Sequence, residues 1–256
     1  MFDPHLFEGK VILVSGAAGG VGSAVARLLH GSAARLALTS THAQRLSALA
    51  SELHAQAILA DITQVADCQR IVNETLDQYG RLDALVNCAG VWTEGDSDRV
   101  TEDDWDRCID VNLKGAFFLC TRAIPALKIT RGVIINVGSD AGIAGNARCA
   151  VYCASKGGLV LMGKALALEL ASFGIRVNTV CPSDIATPML YRQADCFGDG
   201  DPQGYLTKLL SRYPQHPPRF ITPDEVASLI GFLLTAPASP ITGATLNMDF
   251  GITSGY

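Results

Sequence analysis

From Lys10 to about Cys181, short apolar runs alternate with longer runs of helical apolar spacing. This alternation constrains the fold more than any other feature. Strands joined by helical crossovers lie parallel, and a parallel sheet is covered by helices on both faces. The strand-like runs fall at residues 11–14, 35–38, 57–60, 82–86, 132–137 and 176–181, with a last one at 244–248. No repeat, low-complexity tract or linker interrupts them. Residues 1–256 therefore read as one α/β domain built on a doubly wound parallel sheet, and the length is ample for a large core.

The first strand runs into Ser15-Gly-Ala-Ala-Gly-Gly-Val-Gly22, and a helix is expected over 21–30. Gly16, Gly20 and Gly22 let the backbone approach a pyrophosphate, and the free N–H groups of the helix start face it. Such turns are also common as plain structure; the strand–turn–helix context is what makes this one an anion site. The second strand ends in Thr39-Ser-Thr-His42, without the acidic residue that would bind the ribose hydroxyls of NAD. Ser40 and Thr41 could instead hydrogen-bond a 2′-phosphate, a lean towards NADP(H), with Arg45 as a distant helper. Equally, Thr41 could cap the next helix, with Gln44 completing a capping box. Asp61, at the end of the third strand, suits either an adenine amino group or a helix cap. The small residues of Asn87-Cys-Ala-Gly90 would let a ribose pass over the sheet edge, or simply make a tight turn.

A second constellation spans residues 139–156. The fifth strand delivers Ser139 to its carboxyl end, and Tyr152 and Lys156 follow four residues apart at the start of a long helical pattern. Positions i and i+4 share one helix face, so a phenol and an ammonium would stand one above the other. A nearby positive charge favours the phenolate and brings tyrosine closer to working pH, as general acid–base chemistry requires. A serine hydroxyl beside it can hold a substrate oxygen as charge develops. Taken alone, the pair could also be an ordinary surface contact.

Composition excludes other classes. Apolar residues make up 48% of the chain, which fits a globular protein. The net charge of -5, with no basic block, argues against a nucleic-acid or anionic-membrane partner. The eight cysteines are scattered and show no Cys/His ligand spacing, so no metal site is expected and reduced thiols in a cytoplasmic protein are. No basic-then-apolar signal segment opens the sequence, and no uninterrupted apolar stretch is expected to span a bilayer.

The remaining segments are read as follows. Residues 91–100 form an acidic loop, most simply a solvated rim. Thr101 and Asp104 fit a capping box for one long helix reaching Leu127. Asn112, inside it, would either satisfy a neighbouring backbone or bend the helix and hold a water. Residues 189–221, rich in Gly, Pro, Tyr and Arg with helical character only over 205–210, have the length of a substrate lid. Thr222 and Glu225 open a further helix with proline in its first turn.

Taken together, these residues resemble the short-chain dehydrogenase/reductase family over essentially the whole chain. The elements match in order: Gly16, Gly20 and Gly22; Asp61; Asn87-Cys-Ala-Gly90; Asn112; Ser139; Tyr152 with Lys156; Pro182 with Thr187. The resemblance implies a Rossmann fold with about seven parallel strands in the order 3-2-1-4-5-6-7. It implies Tyr152 as general acid or base, Ser139 polarising the carbonyl, and Lys156 holding the nicotinamide ribose and lowering the tyrosine pKa. Asn112 would anchor a water in a proton relay. NAD(P)(H) would be held by Gly16, Gly20, Val21, Gly22, Ser40, Thr41, Asp61, Ile62, Asn87, Ala89, Gly90, Pro182, Ile185 and Thr187, together with Tyr152 and Lys156. Three departures stand out: Cys88 for the second asparagine of Asn-Asn-Ala-Gly, Ser183 for the glycine of Pro-Gly, and Phe250 in a tail usually Asp-Gly-Gly. Such proteins are often homotetramers or homodimers, and Phe117, Phe118 and Leu161 could serve that interface or belong to the core.

The implied activity is hydride transfer between NAD(P)(H) and a small-molecule carbonyl or secondary alcohol. Reduction of a 3-oxoacyl thioester is the narrower alternative. A non-catalytic dinucleotide-binding module would be expected to lack one of Ser139, Tyr152, Lys156 or Asn112, and all four are present.

Overall fold

The computed structural model describes residues 3–254. Its centre is a seven-stranded sheet, every neighbouring pair parallel, in the order β3-β2-β1-β4-β5-β6-β7. The strands are β1 (Val11–Ser15), β2 (Arg35–Ser40), β3 (Gln56–Leu59), β4 (Ala84–Asn87), β5 (Val133–Val137), β6 (Arg176–Pro182) and β7 (Thr245–Met248). Side chains alternate between two faces, and both faces are buried. Ile12, Val14, Leu36, Leu38 and Val86 meet α1 (Gly20–His30), α2 (Ala43–Glu52) and α9 (Pro223–Leu234). Leu13, Ala37, Leu85 and Ile134 meet α3 (Val65–Tyr79), α5 (Ala116–Thr130) and α6 (Ala150–Leu170) on the other side. A period of two with apolar residues on both sides requires a helix layer on each, so the sheet is doubly covered.

Strand order reverses between β1 and β4, which opens a crevice at their carboxyl ends. Gly16 sits there with φ +63°, a left-handed conformation that favours glycine. A Cβ on Gly16 would lie 2.6 Å from the Ala89 backbone, so the turns after β1 and β4 are pressed together.

The helices depart from expectation in three places. The single helix expected to reach Leu127 is broken: α4 (Glu102–Ile109) opens on the Thr101/Asp104 capping box, then Asp110–Gly115 forms a π-helical turn before α5. Wide turns of this kind cluster at functional sites, and this one carries Asn112. Residues 189–221 are more ordered than their composition suggested: they fall in two helices, α7 (Pro188–Phe197) and α8 (Pro202–Leu210), each started by proline at its first turn, and the chain that follows. The capping box at Thr41 does not form: His42 is the N-cap of α2, and its N–H is taken by Ser40 Oγ at 3.2 Å.

Ala150–Phe173 is long and apolar enough by length and composition to cross a membrane, yet half of its most apolar window is buried inside the fold. This stretch is α6 and its final turn, whose apolar side packs on β6 and α4. All eight cysteines are free. Burial raises the thiols of Cys68 and Cys181 to about 11 and those of Cys88, Cys120 and Cys149 to about 12, which keeps them unreactive.

Candidate active site

A cleft of ≈ 1400 Å³ runs along the carboxyl edge of the sheet. At one end lies the turn from Gly16 to Gly22. The N-cap of α1 is Gly19, and among the described residues no side chain caps the helix, so its first N–H groups are open to an anion. Gly20 packs so closely on Thr187 that a Cβ there would stand 2.5 Å from Thr187 Cγ2. Ser40, Thr41, His42 and Arg45 line the cleft next, then Asp61 and Ile62, then Ala89 and Gly90. Arg45, which the sequence places at a distance, is brought to the same wall by the first turn of α2. Asp61 accepts the Thr63 N–H at 3.0 Å, a local turn contact. An uncapped helix start, glycines admitting close approach, and a long cleft continuing over β4 fit a dinucleotide.

At the other end β5 and α6 bring Ser139, Tyr152 and Lys156 together, 6%, 8% and 4% exposed. The Lys156 ammonium donates to the Val137 carbonyl at 2.9 Å and lies 5.8 Å from the centre of the Tyr152 ring. Burial lowers the Lys156 pKa to about 8. Burial pushes the Tyr152 phenol up, and the Ser139 hydroxyl is the neighbour that most opposes this. The expectation that Lys156 brings the phenol down is thus outweighed here by desolvation of both groups, which keeps the phenol protonated. Ser139 Oγ donates to Asp140 Oδ1 at 2.8 Å, and that same oxygen accepts the Ala141 N–H at 2.7 Å. Burial raises the Asp140 pKa.

Of the residues expected at the cofactor, Pro182, Ile185 and Thr187 line the cleft and Thr187 makes no capping hydrogen bond. Asn87 and Asn112 lie behind the wall. The Asn87 amide donates to Asn136 Oδ1 at 2.9 Å and to Cys120 Sγ at 3.1 Å, tying β4 to β5 and α5. Asn112 accepts the Val91 N–H at 2.8 Å, donates to the Val91 carbonyl at 2.9 Å and to Ser155 Oγ at 3.0 Å. Its amide therefore clamps the strand-β4 exit against α6, the backbone-satisfying alternative for a buried amide.

The loop read as a solvated rim carries functional contacts. Trp92 packs on the Tyr152 ring at 4.3 Å between centroids. Its indole donates to Glu94 Oε2 at 3.1 Å, and the same oxygen accepts Tyr205 Oη at 3.0 Å and Gln193 Nε2 at 3.4 Å. One carboxylate oxygen thus fastens α7 and α8 to the loop that covers the phenol. No sequence periodicity marks Trp92 or Glu94; their only signal is position, just after the small-residue turn. Within residues 189–221, Arg192, Tyr205 and Arg212 line the cleft, whereas Tyr191 is 49% exposed.

The tail departure has a physical cost. Phe250 adopts φ +51°, where a side chain costs about 1–2 kcal/mol relative to glycine. Its ring meets Tyr213 edge-on at 5.9 Å and lies under the Arg219 guanidinium at 4.8 Å, contacts that offset the strain.

This arrangement has known counterparts. A family model described as enoyl-(acyl carrier protein) reductase matches residues 16–253. The chain is 34% identical over 251 residues to meso-2,3-butanediol dehydrogenase of Serratia marcescens, covering 97% of this chain and 96% of that one. It is 36% identical over 251 residues to a 3-oxoacyl-(acyl-carrier-protein) reductase of Thermotoga maritima, covering 96% and 98%. Among solved structures, an actinorhodin polyketide ketoreductase with NADPH superposes with TM-score 0.91 at 30% identity, covering 96% of this chain and 98% of that one. Sheet order, glycine turn, the Ser139–Tyr152–Lys156 cluster and full-length similarity agree, and the chain belongs to the short-chain dehydrogenase/reductase family of NAD(P)(H)-binding oxidoreductases.

Proposed function

We propose that this enzyme interconverts a ketone and a secondary alcohol through Tyr152, Ser139 and Lys156, with NADP(H) as the preferred cofactor. The observation that carries the reading is the meeting of these three buried side chains at one end of a cleft whose other end is the glycine turn. The bound cofactor supplies or accepts the hydride. In reduction, as the carbonyl carbon gains the hydride, Tyr152 gives its phenolic proton to the carbonyl oxygen and recovers one from solvent. Burial keeps that phenol in the protonated form this step requires. Ser139 would hold the same oxygen, and Lys156 would hold the ribose hydroxyls while its charge steadies the phenolate left behind. In oxidation each transfer runs backwards.

At the adenosine end Ser40, Thr41 and Arg45 meet on one wall, where a guanidinium can pair with a 2′-phosphate. Gly16, Gly20, Val21 and Gly22 would hold the pyrophosphate, Asp61 and Ile62 the adenine, Ala89 and Gly90 the ribose side, and Ile185 and Thr187 the nicotinamide amide. Residues 189–221 would act as a substrate lid within one domain, latched through Glu94. Phe117, Leu161 and Leu168 are exposed on α5 and α6 and would pair with a second copy in a homodimer or homotetramer; sedimentation velocity reads this. The setting would be cytoplasmic.

The test is oxidation of NADPH and NADH with a panel of ketones, diketones, ketoses and a 3-oxoacyl thioester, alongside dissociation constants for both cofactors. Turnover of at least one carbonyl and tighter NADPH binding are expected. Binding of neither dinucleotide would overturn the reading, and a clear NADH preference would overturn the NADP(H) assignment. Turnover confined to the thioester would establish the 3-oxoacyl reaction, for which the Thermotoga maritima relative is named.

A further inference from the structure

Two departures from the family pattern, Ser183 and Phe250, meet at one side chain with no part in the proton transfer. The Tyr213 hydroxyl lies 2.8 Å from Ser183 Oγ and 3.0 Å from Asp184 Oδ2, and it accepts the Asp184 N–H at 3.0 Å. Tyr213 is buried, and its ring is braced by Phe250.

A phenol has one proton to give and two lone pairs. One lone pair takes the Asp184 N–H. The proton goes to the Asp184 carboxylate, the stronger acceptor of the two oxygens in reach. The second lone pair then takes the Ser183 O–H. All three contacts are satisfied at once, and Ser183 is left with only its lone pairs for a further partner. Ser183 and Asp184 line the cleft beside Ile185 and Thr187. The main chain here is stitched on both sides: Ser183 N–H to the Met248 carbonyl at 3.0 Å, Ala186 N–H to the Ile221 carbonyl at 2.8 Å, and Ile221 N–H to the Asp184 carbonyl at 3.0 Å. Tyr213 is the side chain that locks this segment from beneath.

We propose that Tyr213 is a positioning residue for the nicotinamide end of the cofactor, fixing residues 183–187 and presenting Ser183 as a hydrogen-bond acceptor towards it. The inference rests on the hydride-transfer reading above. It concerns chiefly Ser183 and Asp184, since Thr187 at the end of the segment abuts Gly20, so the larger effect should fall on the nicotinamide half.

The experiment measures dissociation constants by calorimetry for wild type and Tyr213→Phe. The ligands are whichever of NADPH and NADH binds tighter and the matching adenosine half, 2′,5′-ADP or ADP. Phenylalanine keeps the ring against Phe250 and removes only the hydroxyl. Losing hydrogen bonds that include a charged partner should weaken the whole dinucleotide about tenfold. The adenosine half, seated at the glycine turn, should be weakened clearly less than the whole dinucleotide. Equal weakening of both ligands would mean a general structural role and overturn the proposal, as would no weakening of either. Should Tyr213→Phe fail to fold, Ser183→Ala decides: a selective loss of about threefold is expected, and unchanged dinucleotide affinity would overturn it. If wild type binds neither dinucleotide, the hydride-transfer reading fails first and the positioning role with it. If wild type binds and the variant matches it, only the positioning role fails.

Discussion

Lys156 gives the protein without ligand a titration that can be measured directly. Its ammonium is buried with, among the described residues, a single hydrogen bond, to the Val137 carbonyl, and burial brings its pKa from 10.5 to about 8. A shift of this size corresponds to roughly 3 kcal/mol of stability withheld at neutral pH. The sign follows from proton counts. Between pH 8 and 10.5 the unfolded chain holds the lysine proton more firmly than the folded one, so stability rises as pH rises through that window. Lys156→Met removes the titration and keeps most of the stem. Chemical denaturation of both proteins at pH 7 and pH 9.5 isolates the effect, because other titrating groups cancel in the double difference. Wild type should gain about 2 kcal/mol relative to Lys156→Met over that interval, and the variant should be the more stable protein at pH 7. Catalysis should be lost in the same variant. A double difference near zero, or a variant less stable at pH 7, would refute the burial argument and place Lys156 in contact with water.

Two further outcomes follow from side chains around the phenol. Asp140 takes the Ser139 proton that a substrate carbonyl would need. Asp140→Ala should therefore raise kcat/KM for ketones by a few fold, up to about tenfold for one hydrogen bond, measured against the reverse reaction with the matching alcohol. A fall in kcat/KM with ketones would show instead that Asp140 supports Ser139. Glu94→Gln replaces the carboxylate that fastens Tyr205 and Gln193. It should weaken the latch by about 1–3 kcal/mol, seen as faster proteolysis within residues 189–221 with the rest of the chain protected. Unchanged cleavage would remove Glu94 from the latch.

Much of the fold was legible because a parallel sheet writes itself as buried strands separated by helices. Most of the ordered landmarks from Gly16 to Thr187 were legible because they follow a strand's carboxyl end, while Tyr152 and Lys156 were legible from their i, i+4 spacing on α6. The Glu94–Tyr205 contact was not, since it joins residues more than a hundred positions apart through a single hydrogen bond. The break at Asp110–Gly115 was hidden for another reason: a π turn keeps helical composition and changes only which carbonyl each N–H meets. Direction of the tyrosine shift was misjudged from the i, i+4 pairing alone, because spacing reports a neighbouring charge and says nothing about burial of both groups. Phe250 shows the converse case. The departure was visible in the tail, but its meaning needed the left-handed backbone and the Tyr213 ring beside it.

The most direct measurement is single-turnover hydride transfer with a ketone substrate, comparing wild type with Tyr152→Phe under saturating cofactor. Loss of the acid should slow the step by about 10²–10⁴-fold, with the cofactor dissociation constant unchanged within error. Transfer at the wild-type rate in that variant would contradict the assignment of the proton to Tyr152.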